Sequence, residues 1–234
     1  MNRDNINFKD GNIKSIFRKL LIPTMLGALS ICAVTAIDGI FIGHGVGAIG
    51  VAAVNIVVPI YQIMAGFGLM VGVGCSVATS IHLSKNNIKA AKLNVTQAIL
   101  IASLIVALFA LTVILFPNTT GKLLGASPTL LPQVSDYLVW IMPSFVFQMW
   151  SMIGLFTIRI DGSPKYAMWC NIIPATLNAI LDWVFIFPLN MGVKGAAIAT
   201  GISIVFGGIM ALYYLLFRYK TIGITNLKRS VTCL

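Results

Sequence analysis

Two carboxylates stand inside stretches that are otherwise almost wholly apolar: Asp38 in AVTAIDGIFIG and Asp182 in NAILDWVFIFP. The chain has no glutamate and only six acidic residues, so a third of its acidic side chains lie in surroundings where a charge is costly unless paired, protonated or bound. Asn178 precedes Asp182 by four residues, one turn away on the same helix face. Thr200 adds a hydroxyl in the next apolar run. An oxygen-only set of this kind suits a proton or a hard cation such as Na⁺. Uptake of either changes the local charge and can bias a bundle with two arrangements. The competing reading for a single Asn or Thr is helix–helix glue. Intramembrane aspartates mark ion or substrate pathways more often.

The elements that position these residues follow from composition. Of 234 residues, 58% are hydrophobic and 9% charged, where a soluble domain carries roughly a quarter charged residues. Too little polar side chain exists to cover a globule in water, so the solvent is a bilayer. A helix crossing the ~30 Å hydrocarbon core needs about 20 apolar residues. Six runs qualify, at 19–42, 52–81, 93–116, 137–158, 166–187 and 195–217. The first is too long for the core of a cleaved signal peptide and reads as a retained span. Short turn-rich connections join the runs: HGVGAIG, LSKNNIKAAK, PNTTGKLLGASPTLLPQ, IDGSPK and PLNMGVKG. The expected fold class is therefore all-α, a polytopic bundle of six transmembrane helices over 19–217. Residues 1–18 form an N-terminal segment with an amphipathic lead-in (IKSIFRKLL), and 218–234 a polar tail.

The net charge of +10 raises nucleic acid as a partner, but the basic residues cluster between apolar runs rather than along a stripe interleaved with aromatics. They report topology instead. With the N-terminus inside, 14 of the 16 Lys and Arg side chains fall on one side and only Lys122 and Lys194 on the other. Both ends are then cytoplasmic by the positive-inside rule. In that frame Asp38 lies about 28 Å along the first span from Lys19, and Asp182 about 26 Å along the fifth from Lys165. Asp38, Asn178, Asp182 and Thr200 thus share one layer in the outer half of the membrane.

Other features read as packing or bending. Gly39 and Gly43, and Gly68 and Gly72, are GxxxG pairs that permit close helix contact. Pro23, Pro143 and Pro174 interrupt spans and can bend them. Phe145, Phe147, Met149, Trp150 and Met152 suit core or lipid-facing positions better than a cavity wall. His44 falls in an outer loop and His82 at an inner helix end, both solvated. Four widely spaced cysteines with no CxxC pair signal neither zinc nor a disulfide framework. No HExxH, GxxxxGK[ST] or GxSxG motif occurs, and the GxGD stretch of intramembrane aspartyl proteases is missing around both acids. An enzyme is not expected.

The stretches LLIPTMLGALSICAVTAIDGIFIGHGVGAIGVAAVNIVVPI (20–60) and NAILDWVFIFPLNMGVKGAAIAT (178–200) carry a family resemblance. Over most of 15–218 the chain resembles the N-terminal half of the multidrug and toxic compound extrusion (MATE) transporters. The resemblance implies an antiporter expelling organic, often cationic, drugs by inward Na⁺ or H⁺ flow, with no other cofactor. It implies a cation site at Asp38, Asn178, Asp182 and Thr200 and a helix bend at or near Pro23. It also implies a multi-pass protein of the plasma (inner) membrane. The family has two six-helix bundles and this chain one, so a second lobe or a parallel homodimer is the expected partner. The alternatives are a lipid-linked-oligosaccharide flippase of the same superfamily and a non-transporting remnant.

Overall fold

A hydrocarbon solvent leaves backbone N–H and C=O groups only one another as partners, which makes helices the outcome for each long apolar run. The computed structural model describes residues 13–224 and is helical almost throughout. The elements are α1 (Ile13–Gly45), α2 (Ala48–Ser84), α3 (Ile88–Leu115), α4 (Pro117–Leu123), α5 (Leu131–Ile141), α6 (Ser144–Ile160), α7 (Pro164–Ile186) and α8 (Gly192–Tyr213). A five-residue π turn, Tyr214–Arg218, closes α8. Five helices are long and apolar enough to cross a membrane, and α5 with α6 supplies a sixth span bent by 52°. The protein is an all-α, multi-pass membrane protein. Arg3, Lys9, Lys228 and Arg229, which contribute to the charge asymmetry, lie outside the described residues, as do most of the N-terminal segment and the end of the tail.

The bend has a local cause. Pro143 offers no N–H to the preceding turn, and its ring crowds the carbonyl there. α5 ends two residues before it, and the Ser144 hydroxyl donates to the Ile141 carbonyl at 2.6 Å. Pro23 and Pro174, by contrast, lie within helices that continue through them. Opposite Pro174 stands Gly207 of α8, whose missing side chain leaves room for the ring: a Cβ there would come within 3.1 Å of it.

The first three helices are longer than the apolar runs they carry. α1 begins at Ile13, so the expected lead-in from that residue onward is continuous with the first span, and His44 sits in its last turn rather than in a loop. The first connection shrinks to Val46 and Gly47, the latter at φ 83°, a conformation open to glycine without strain. Asn86 takes φ 55° between α2 and α3, and Asn87 accepts from the Ala90 N–H at 3.1 Å to cap α3. The long connection after α3 contains α4, started by Pro117.

α6 is the centre of the bundle, packed by α2, α3, α7 and α8. Its Phe145, Met149 and Ile153 are fully buried. Gly68 and Gly72 of α2 lie so close to Met149, Met152 and Phe156 that a Cβ would come within 2.9–3.1 Å of them, so this GxxxG pair is a packing seam. Gly208 of α8 lies against the Phe147 carbonyl in the same manner. The other pair departs from expectation: Gly39 has nothing within 4 Å of a would-be Cβ, and Gly43 only Val51 at 3.9 Å. α1 is a peripheral helix lying mainly along α7, and these glycines face away from that contact. Trp150 is also a packing residue, its indole N–H donating to Ser103 Oγ at 2.7 Å.

Candidate functional site

Three helices carry the four oxygen-bearing side chains singled out above, and two contacts fix their relative heights. Gly27 of α1 meets Asn171 of α7 near one end, and Gly45 meets Ile186 near the other. The segment 27–45 therefore runs alongside 171–186, and Asp38 falls level with the turn that carries Asp182. On the other flank α8 runs antiparallel to α7. Gly195 stands opposite Phe185 and Gly207 opposite Pro174, which brings Thr200 to Asn178. The Asn178 amide donates to Thr200 Oγ1 at 3.3 Å.

The geometry leaves acceptor atoms over. Asp182 is completely buried, and neither of its carboxylate oxygens has a hydrogen-bond partner. Asp38 is half-buried with Oδ1 sealed from solvent and also without a partner. Asn178 stands beside Asp182: one of its two amide N–H groups is directed at Thr200, and the amide also interacts with the Asp182 carboxylate, though outside strict hydrogen-bond geometry. The two acids lie within Coulombic reach of each other, so their charges, if both present, repel. Orphaned buried acceptors are rare, because each costs about 1–3 kcal/mol. Three of them stand around one height on two packed helices, a cluster of oxygen lone pairs short of donors. A proton or a hard cation supplies what such a cluster lacks.

The structure thus brings Asn178 and Thr200 into contact, sets Asp182 next to Asn178, and leaves Asp38 within Coulombic reach of Asp182. Pro23 lies 15 residues away on α1, toward the opposite face. Two residues not picked out from the sequence belong to the same surroundings: Tyr61 of α2 lies within reach of Asp38, and Tyr137 of α5 within reach of both acids. Both are phenols inside apolar runs, a weak signal, since such residues commonly bury the ring and find a hydrogen bond for the hydroxyl. Among the described residues no group of three or more His, Cys, Asp or Glu is arranged to hold a metal ion, so any cation here relies on Asn and Thr oxygens as well as the acids.

Comparison with known proteins agrees with this architecture. The family model described as MatE matches residues 23–184. The multidrug export protein MepA of Staphylococcus haemolyticus is 27% identical over 225 residues, covering 95% of this chain and 49% of its own length. A FAD transporter of Shewanella oneidensis is 24% identical over 212 residues, covering 89% and 47%. Among solved structures, the MATE multidrug transporter DinF-BH, solved in complex with a ligand, superposes with a TM-score of 0.84 at 31% identity, over 97% of this chain and 51% of that one. The chain spans about half the length of the curated relatives it matches.

Proposed function

The chain belongs to the MATE family, and from that membership we propose that it is one lobe of a cation-coupled antiporter that exports organic, often cationic, compounds. The observation that carries the reading is the set of unpartnered oxygens on Asp38 and Asp182 beside the Asn178–Thr200 pair. Na⁺ or a proton entering from outside occupies this seat and cancels one of the two negative charges. That removes their repulsion and the desolvation cost of the bare charge, which favours one arrangement of α1 against α7 over the other. Na⁺ or H⁺ is here the counter-transported substrate, moving inward as the cargo moves out. α1 is suited to move, being peripheral and carrying Pro23, where a kink costs least. Export across the plasma (inner) membrane with both ends of the lobe in the cytoplasm fits the distribution of Lys and Arg.

Export needs a second lobe. Six spans return the chain to the side it started from, so a second copy inserts in parallel and can pair about an axis along the membrane normal. The relatives support small organic cargo: one is named a multidrug exporter, one is a multidrug transporter solved with a ligand, and one is named for FAD. The flippase alternative predicts a basic mid-membrane cavity, and the Lys and Arg side chains of the described spans lie at helix ends.

Ethidium and FAD efflux from vesicles under separate Na⁺ and pH gradients tests the reading. Wild type is expected to move at least one of them under one gradient, and Asp38→Asn and Asp182→Asn to lose that movement. Variants that pump like wild type refute the seat. Native mass spectrometry showing only monomers in an active preparation removes the homodimer.

A further inference from the structure

The sequence places a third acid, Asp161, in the turn between α6 and α7, where a carboxylate is poorly suited. It follows the C-terminus of α6, whose exposed carbonyls repel negative charge, and it is 5% exposed. A buried carboxylate at that end of a helix needs strong donors.

The donors come from the segment that follows α8, some 60 residues on. The backbone N–H of Lys220 donates to Asp161 Oδ2 at 2.6 Å, and those of Thr221 and Ile222 donate to Oδ1 at 2.8 and 3.0 Å. The Tyr214 hydroxyl lies 2.8 Å from Oδ2 and 2.7 Å from Ser163 Oγ. Three successive N–H groups on one carboxylate form a backbone nest around an anion, with charge-assisted bonds of the stronger class. The π turn makes this reachable: its wider coil carries the chain out of α8 and back beneath it. There Ile222 is wholly buried and the Ile224 N–H donates to the Leu215 carbonyl at 3.1 Å. Lys92 of α3 sits over the Tyr219 ring at 4.4 Å and adds a contact from a further helix.

The position matters because α7 starts at Pro164, directly after the turn that carries Asp161 and Ser163, and α8 ends at the π turn. These are the two helices that carry Asn178, Asp182 and Thr200 at their outer halves. We infer that Asp161 and the 220–222 nest form a clasp that pins the inner ends of α7 and α8 together, so that these helices rearrange about a fixed cytoplasmic pivot while their outer halves respond to the bound ion. The pivot rests on the ion-coupled reading above; the clasp itself does not.

Hydrogen–deuterium exchange on the full chain in nanodiscs separates the two. Amides 220–222 of wild type are expected to exchange slowly. Asp161→Ala is expected to speed them by roughly 10- to 100-fold, and the milder Tyr214→Phe, which leaves the nest in place, by about threefold. Fast exchange in wild type, or rates within twofold of wild type in both variants, overturns the clasp. Exchanging choline for Na⁺, or pH 8 for pH 6 with rates corrected for intrinsic exchange, is expected to alter the outer ends of α1 and α7 and leave 220–222 within twofold. A change at 220–222 as large as at the outer ends overturns the pivot. So does the lack of any response to either ion, with the wild-type protection then still establishing the clasp. An outer-end response that survives in Asp38→Asn and Asp182→Asn counts against the ion seat and not against the clasp.

Discussion

If an ion fills the pocket between α1 and α7, it must stabilise the folded lobe, and this holds whether or not one lobe can transport. Three buried oxygens there lack a well-directed donor, both of Asp182 and Oδ1 of Asp38. Each such acceptor costs about 1–3 kcal/mol, so satisfying two of them supplies about 2–6 kcal/mol. Linkage sets what is observable: a ligand at a hundred times its Kd stabilises by about 2.7 kcal/mol, within that range. For a chain of this size each kcal/mol moves Tm by about 2–4 °C, so a saturating ion raises it by about 5–11 °C. The assay is thermal unfolding in detergent, with Na⁺ replacing choline at constant ionic strength. The expected result is a saturable rise in wild type that is lost in Asp38→Asn/Asp182→Asn. A proton-selective seat instead leaves the Na⁺ titration flat and gives a pH dependence that the same double variant removes. An equal shift in the double variant, or a wild type indifferent to both ions, refutes the reasoning.

The packing seams make further predictions. Gly208→Ala drives a methyl into the Phe147 carbonyl and is expected to cost about 1–3 kcal/mol, read as a lower Tm, whereas Gly39→Ala has open space and is expected to be neutral or stabilising by up to about 1 kcal/mol. Equal effects at the two sites contradict the assigned contacts. Asn94 of α3 donates to Thr79 Oγ1 at 2.9 Å and to the Cys75 carbonyl at 3.0 Å on α2. Asn94→Ala is expected to lower stability by about 0.6–2 kcal/mol, and an unchanged Tm removes this pair as a tie between the helices.

The four oxygen-bearing residues were legible because two acids in apolar runs are conspicuous, and helical rise converts sequence position into depth. The clasp was not. IDGSPK reads as an ordinary polar turn, and the partners of Asp161 are backbone amides some 60 residues on, which carry no signature in side-chain chemistry. The two GxxxG pairs show the same limit. They look alike in sequence, and only the packing tells that Gly68 and Gly72 are pressed against α6 while Gly39 has open space and Gly43 only a loose contact with Val51. The prolines show it a third time: Pro143 breaks its span, whereas Pro174 is accommodated by the gap at Gly207.

The sequence alone determined that the chain is a bundle of membrane helices, because the length and polarity of a segment decide its transfer into hydrocarbon without reference to its neighbours. It also set the order of the polar groups along each helix, from which an expected depth follows. Only the tertiary structure decided which groups at one depth meet, which acceptors are left without donors, and where the chain is tied back on itself. Those outcomes depend on the rotation and pairing of helices about their own axes, and that rotation is fixed by side-chain packing across the bundle, which no local pattern of residues records.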